Sequence, residues 1–175
     1  MLKGKLIHPD IMAALALCGH GDKVLIADGN YPLDSKTGQA ETVYLGLTPG
    51  LPTVTDVLAA IQSTVNIEKA EVMDPADGTT PEIFGEFQTT LDGMELNKLG
   101  RYEFYDACCQ PGVRLAISTG EHAYLFQPAD HHRRGLIRPV SLVFREPFSA
   151  WMRRKAPLFP WHFFLNFCAI MPVTA

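Results

Sequence analysis

A histidine and an aspartate stand at the two ends of a short apolar segment near the amino terminus. His20 lies between Gly19 and Gly21, and Asp28 follows the run KVLIA. The free imidazole pKa, about 6.5, lets a histidine both give and take a proton near neutral pH. A carboxylate accepts hydrogen bonds from vicinal hydroxyl groups, and glycines let a backbone turn tightly beside a ligand. These residue types fit proton transfer on a small polar ligand such as a sugar.

Two further groups carry side chains that bond to hydroxyl groups. Arg101 and Tyr105 lie four residues apart, so a helix would place them one turn apart on the same face. Thr119, Gly120 and Glu121 follow an apolar run that predicts a strand. Guanidinium, phenol and carboxylate groups donate or accept hydrogen bonds at defined angles. Both groups are therefore candidates for binding the same ligand.

Each of these residues also has a purely structural explanation. A histidine in a Gly-His-Gly turn can bond to a nearby carbonyl, and an aspartate before Gly29 and Asn30 commonly bonds to its own backbone. Arg101 and Tyr105 are consistent with a solvated charge beside a half-buried ring, and STGE with a helix cap or an ordinary loop. From the residues alone, the structural explanation is favoured.

The composition is that of one domain, alone or with an appendage. The chain has 175 residues, of which 47% are hydrophobic and 19% charged, and its formal net charge is -4. Charges of both signs are interspersed over the first two thirds, so no nucleic-acid partner is predicted. The four cysteines form neither a CxxC pair nor a zinc pattern, and the first ten residues lack a signal-peptide core. The apolar stretch 158–173 is broken by prolines and polar residues. We therefore predict a reduced, cytoplasmic protein without a metal site or a membrane partner.

Helical and strand patterns alternate over the first 121 residues. Helices are predicted from Pro9, from Thr55 and Asp56, from Pro81 and Glu82, and within GRYEFYDACC, whereas KVLIA, ETVYLGL, IEKAEVM and VRLAIS predict strands. Strands separated by helices indicate an α/β domain in which helices cover both faces of a mainly parallel sheet. Ligand sites in such sheets lie beyond the strand ends, where loops converge.

The segment HPDIMAALALCGHGDKVLIADGNYP resembles the opening pattern of the RbsD/FucU family, the ribose pyranases and fucose mutarotases. TDVLAAIQSTVNIEKAEVM, TPEIFGEF, RYEFYDA and LAISTGE resemble later segments of that family in the same order. The resemblance covers about residues 1–121, and RYEFYDA is closer to the fucose branch than to the ribose branch.

The resemblance implies an isomerase that interconverts sugar anomers without a metal or organic cofactor. It implies a three-layer α/β/α domain with a mainly parallel mixed sheet, assembled into homo-oligomeric rings whose sites are completed by neighbouring subunits. By the same resemblance His20 is the proton donor, Tyr105 is a catalytic tyrosine, and Asp28 and Arg101 bind the sugar. Tyr124 lies one position before a sugar-binding tyrosine of the family. A D-ribose pyranase and a non-catalytic sugar-binding protein associated with uptake are the alternatives.

Residues 122–175 depart from the family pattern. The family continues with Tyr-Ala-Asn or Tyr-Gly-Asn and a closing strand, but the asparagine is missing here and no strand pattern follows. With a suitable choice of codons, a one-base shift through DHHRRGLI reads Ile-Ile-Thr-Glu-Gly-Val-stop, which would be such a strand. We therefore expect a sugar mutarotase domain over 1–121 and a divergent tail over 122–175 that is frame-shifted or poorly ordered. Loss of the closing strand would leave an unpaired sheet edge and weaken activity.

Overall fold

The computed structural model describes residues 2–75, 78–121 and 140–143. The helices are α1 (Pro9–Leu17), α2 (Val54–Gln62), α3 (Glu82–Thr90) and α4 (Arg101–Cys108), with a 3-10 turn at Leu33–Ser35. The strands are β1 (Lys23–Ala27), β2 (Glu41–Tyr44), β3 (Lys69–Met73), β4 (Leu96–Leu99), β5 (Val113–Ser118) and β6 (Val140–Val143). None of the helices in the described ranges is long and apolar enough to cross a membrane.

The six strands form one sheet in the spatial order β2-β5-β1-β6-β3-β4. β5 pairs in parallel with β1 and β2, and β3 pairs in parallel with β4. β6 pairs antiparallel with β1 on one side and with β3 on the other. The other five strands therefore run in one direction, and their carboxyl ends share one edge of the sheet. We call this edge the carboxyl edge and the opposite one the amino edge.

Helices cover both faces of the sheet. Side chains alternate between the faces along β1, so that Val24 and Ile26 share a core with α1, α2 and α3. Leu25 and Ala27 pack on the other face with α4. All four of these side chains are fully buried. The structure confirms the predicted three-layer α/β/α arrangement and the mainly parallel mixed sheet.

Helix α2 begins one residue before the predicted start at Thr55 and Asp56. Its first residue is Val54, and Thr53 is the N-cap. The Asp56 N–H donates to the Thr53 hydroxyl, and the Thr53 N–H donates to the Asp56 carboxylate, both at 3.0 Å. This reciprocal capping box satisfies two N–H groups that the helix leaves without partners, and it fixes where the helix starts.

Two strands lie where the sequence pattern predicted none, β4 and β6. β6 belongs to the segment 122–175. Loss of the closing strand was expected to expose a sheet edge, but the strand in this segment is interior, and the edge strands are β2 and β4. Removing β6 would therefore divide the sheet into β2-β5-β1 and β3-β4 rather than uncover one edge.

Candidate active site

His20 lies in a tight turn at the amino edge of the sheet. The Asp22 N–H donates to the Gly19 carbonyl at 3.1 Å, and the Gly19 N–H donates to the Asp22 carboxylate at 2.7 Å. Gly21 has a φ of +89°, which glycine adopts without strain. The first residue of β1 donates its N–H to the Gly112 carbonyl at 2.7 Å, which joins the turn to the start of β5. His20 itself is exposed.

Asp28 lies at the carboxyl edge, directly after β1. It is 7% exposed, and its Oδ1 accepts the N–H groups of Asn30 at 3.1 Å and Tyr31 at 3.0 Å. The structural explanation of Asp28 as a turn former is therefore correct. The same contacts hold the carboxylate in a fixed orientation at the edge where parallel sheets commonly bind ligands.

Helix α4 carries Arg101 and Tyr105 at this edge. Arg101 is the first residue of the helix, follows the carboxyl end of β4 and is exposed. Tyr105 lies one turn later and is half-buried, with its ring centroid 5.6 Å from that of Tyr31. The Lys36 ammonium lies 5.8 Å from the centroid of the Tyr105 ring. Because Tyr31 also donates its N–H to Asp28, the structure connects Asp28 to Tyr105 through a single residue.

His20 and Asp28 do not meet within one chain. They flank a strand of five residues, which by itself separates its first and last Cα atoms by about 13 Å. Asp28, Tyr105 and Arg101 belong to the carboxyl edge, whereas His20 belongs to the amino edge. Within a single chain, the residues proposed to bind the sugar thus lie at the edge of the sheet opposite the proposed proton donor.

The segment Thr119-Gly120-Glu121 joins the loops of the carboxyl edge. The Thr119 hydroxyl donates to the Ala27 carbonyl at 3.0 Å, and the Gly120 N–H donates to the Pro52 carbonyl at 3.0 Å. A Cβ atom on Gly120 would overlap the carbonyl oxygen of Leu51, so this position requires glycine. The Glu121 carboxylate binds the first N–H of α2, which is the helix-cap alternative considered for STGE.

Burial controls ionisation on the face covered by α4. Burial is the main cause that raises the pKa of the Tyr31 phenol well above its usual range, and a hydrogen bond with Cys108 adds to it. The phenol donates to the Lys36 carbonyl at 2.7 Å. Burial likewise raises the pKa of the Cys108 thiol to about 12. Both groups stay protonated at neutral pH, which excludes the Cys108 thiolate as a nucleophile.

The sequence also predicts Tyr124 as a sugar-binding residue and no metal site. Tyr124 lies outside the described residues. Within the described ranges, no three His, Cys, Asp or Glu side chains lie close enough together to hold a metal ion. The three cysteines described, Cys18, Cys108 and Cys109, are free thiols.

Comparison with known proteins places this chain in a family. The model of the RbsD / FucU transport protein family matches residues 1–124. The chain belongs to the RbsD/FucU family. A family relative, the D-ribose pyranase of Paracidovorax citrulli, is 35% identical over 128 residues, which cover 69% of this chain and 88% of the relative. The fucose mutarotase of Mus musculus is 33% identical over 137 residues, covering 70% of this chain and 87% of the relative.

Solved RbsD/FucU structures share the fold. Bacillus subtilis RbsD complexed with D-ribose matches with a TM-score of 0.65 at 24% identity, covering 85% of this chain and 100% of that one. The fucose mutarotase of Streptococcus pneumoniae with L-fucose matches with a TM-score of 0.61 at 21% identity, covering 81% of this chain and 94% of that one. These matches cover a larger share of the chain than the family model, which matches 124 of the 175 residues.

Proposed function

We propose that this protein is a monosaccharide mutarotase that interconverts the anomers of L-fucose or a similar sugar by acid–base ring opening and closing. The observation that carries the proposal is the group formed by Asp28, Tyr31 and Tyr105 at the carboxyl edge, in a chain of the RbsD/FucU family. A buried carboxylate and a half-buried aromatic ring, each in contact with Tyr31, suit a ligand that presents hydroxyl groups and an apolar ring face.

The reaction requires two proton movements and no other reactant. Ring opening adds a proton to the ring oxygen and removes one from the anomeric hydroxyl, so that the C–O ring bond breaks and a carbonyl forms. Ring closure on the other face of the carbonyl reverses both transfers. In our proposal His20 protonates the ring oxygen, Tyr105 or a water molecule takes the proton of the anomeric hydroxyl, and Asp28 and Arg101 bind the sugar. Such positioned acid–base groups accelerate proton-transfer reactions by about 100- to 10,000-fold.

We further propose that a complete site contains His20 from one copy and Asp28 from another. The support is their position at opposite edges of the sheet within one chain. A contact between the amino edge of one copy and the carboxyl edge of the next is head-to-tail, and such a contact builds a ring when the rotation between successive copies closes. This agrees with the homo-oligomeric rings that the resemblance implied.

Mixing two inactive variants tests both the function and the shared site. His20→Ala and Asp28→Asn should each abolish the exchange of anomers measured by saturation-transfer NMR, while His20→Ala retains part of the sugar binding. After dissociation and joint reassembly in equal amounts, about one quarter of the shared sites regain both groups, so about one quarter of wild-type activity should return. Sites within one chain would recover no activity. Unchanged exchange in His20→Ala alone would overturn the catalytic assignment.

D-Ribose pyranase is the second candidate, favoured by the 35% identity to the Paracidovorax citrulli enzyme. The same NMR experiment with D-ribose and L-fucose in turn distinguishes the two, since the natural substrate should show faster exchange at equal enzyme concentration. A sugar-binding protein without turnover would instead raise its melting temperature with sugar and leave the exchange rate unchanged. For the cell we propose a cytoplasmic location, in keeping with the free thiols of the described residues.

A further inference from the structure

Glu121 connects three segments of the carboxyl edge that are far apart in the sequence. Its Oε2 accepts the Val54 N–H at 2.7 Å, across 67 residues of sequence. Its backbone carbonyl accepts the Gly29 N–H at 3.0 Å. Its own N–H donates to the Thr119 hydroxyl at 3.3 Å. The side chain therefore reaches the first turn of α2, while the main chain holds the residue that follows Asp28.

The contact with α2 has a clear physical basis. The first N–H groups of a helix lack partners within the helix, and the helix amino terminus attracts anions. Thr53 and Asp56 bond to each other at this terminus, and Glu121 accepts the N–H of Val54. Burial raises the pKa of the Glu121 carboxyl, the bond from Val54 lowers it, and the nearby charge of Asp28 raises it further. On balance the pKa of the Glu121 carboxyl is raised, and the bond from Val54 opposes this shift.

The orientation of Asp28 depends on the same connection. The Asp28 carboxylate bonds to the N–H groups of Asn30 and Tyr31, so it follows the backbone of this loop. Gly29, inside the loop, is bonded to the Glu121 carbonyl. A displacement of Glu121 is therefore transmitted to the loop and to Asp28.

We propose that Glu121 is a positioning residue, which fixes Asp28 for sugar binding by anchoring the loop after β5 to the amino terminus of α2. Glu121 acts through Asp28 and does not itself contact the sugar. The inference rests on the proposed function in one respect, namely that the ligand bound by Asp28 is a monosaccharide. A hydrogen-bond acceptor at position 121 is sufficient for this role, and its charge is not required.

Three variants of the full-length chain test the inference. Glu121→Ala removes the acceptor, Glu121→Gln keeps an acceptor without charge, and the matched control Asp56→Ala removes a different cap of the same helix. We expect Glu121→Ala to raise KM for the accepted sugar about tenfold with a smaller change in kcat. Hydrogen exchange at the amides of Gly29, Asn30 and Tyr31 should become faster in the same variant. Glu121→Gln and Asp56→Ala should leave both measurements near those of the wild type.

Several results would overturn the inference. Unchanged KM and amide exchange in Glu121→Ala would show that the loop does not need this anchor. An equal rise of KM in Asp56→Ala would show that the effect comes from the stability of α2. An equal rise of KM and of amide exchange in Glu121→Gln would show that the charge of Glu121 is required. If Glu121→Ala does not fold, Glu121→Asp keeps the charge but shortens the side chain by one methylene group, which withdraws the acceptor from the Val54 N–H, and the same expectations apply. If the wild type binds no sugar, the proposed function fails, and amide exchange alone decides whether Glu121 fixes the loop.

Discussion

Asp28 bonds to the N–H groups of Asn30 and Tyr31 through one oxygen, Oδ1. An aspartate needed only for a turn would do this equally well at a solvated loop, but here the residue is 7% exposed, and the ring of its partner Tyr31 packs on Tyr105. The turn-forming and ligand-binding explanations of Asp28 are therefore compatible, because the turn holds the carboxylate. Its role in binding sugar stays a prediction.

A substitution of Gly120 tests stability at the scale of a single residue. Gly120→Ala would drive a Cβ atom into the carbonyl oxygens of Leu51 and Thr48, which are backbone atoms and cannot move aside cheaply. We expect a loss of about 2–3 kcal/mol in the free energy of unfolding, measured by urea denaturation. The matched control is Gly85→Ala in α3, where nothing lies within 4 Å of the added atom. That variant should gain about 0.5–1 kcal/mol from helix propensity. Equal effects of the two substitutions would contradict this explanation.

At the scale of secondary-structure elements, an ion pair connects β1 to β3 across the strand between them. Glu71 in β3 is 5% exposed and accepts hydrogen bonds from Lys23 in β1 and from Lys69, both at 2.9 Å. Since β6 lies between β1 and β3, the Lys23–Glu71 contact ties together two strands that do not pair directly. Burial opposes ionisation of Glu71, but the hydrogen bonds and charges of the two lysines hold its pKa below the usual range.

This ion pair predicts a dependence of stability on pH. Because the folded-state pKa of Glu71 is lowered, its contribution is present above the unfolded-state pKa and is lost as the pH falls through the folded-state pKa. Glu71→Gln should therefore lower the free energy of unfolding by about 2 kcal/mol at pH 7 and by less at pH 3. Asp74→Asn is the control, because its 3.9 Å pair with Lys98 is exposed and should contribute little at either pH. A deficit in Glu71→Gln that is constant with pH would rule out the ion pair as its cause.

At the scale of the whole molecule, a short strand decides whether the sheet is one unit. β6 pairs with β1 over four residue pairs and with β3 over four more. Val140–Val143 follows a basic cluster, in a tail where prolines, arginines and aromatic residues recur without a period, so the strand was not recognised although Pro139 and Pro147 flank it. Pairing with a partner on each side stabilises a segment whose local pattern is weak.

Shortening the chain tests this role of β6. A chain that ends at residue 121 lacks the strand between β1 and β3, so it should lose the single cooperative unfolding transition and show a lower urea midpoint and a smaller m-value. A chain that ends at residue 150 retains β6 and serves as the control. If the shorter chain unfolds like the full-length protein, β6 does not join the two halves of the sheet.

The origin of residues 122–175 stays a separate hypothesis. The DNA sequence around codon 121 tests it, because a shifted frame requires the alternative reading Ile-Ile-Thr-Glu-Gly-Val-stop to be present one base away. A codon pattern typical of a protein-coding region through the whole tail would contradict the shift.

The sequence by itself determined the four helices, the strands β1, β2, β3 and β5, and the chemistry of the candidate residues. It could do so because helical and strand periodicity are local, and because the phrases around His20, Asp28 and Arg101 resemble those of a family. Only the tertiary structure decided that β6 lies inside the sheet, that Tyr31 packs on Tyr105, and that Glu121 binds the first N–H of α2. It also fixed His20 and Asp28 at opposite edges of one domain. Contacts between residues far apart in the chain depend on how the elements pack. Local periodicity does not specify which distant group will bond to a buried donor or acceptor.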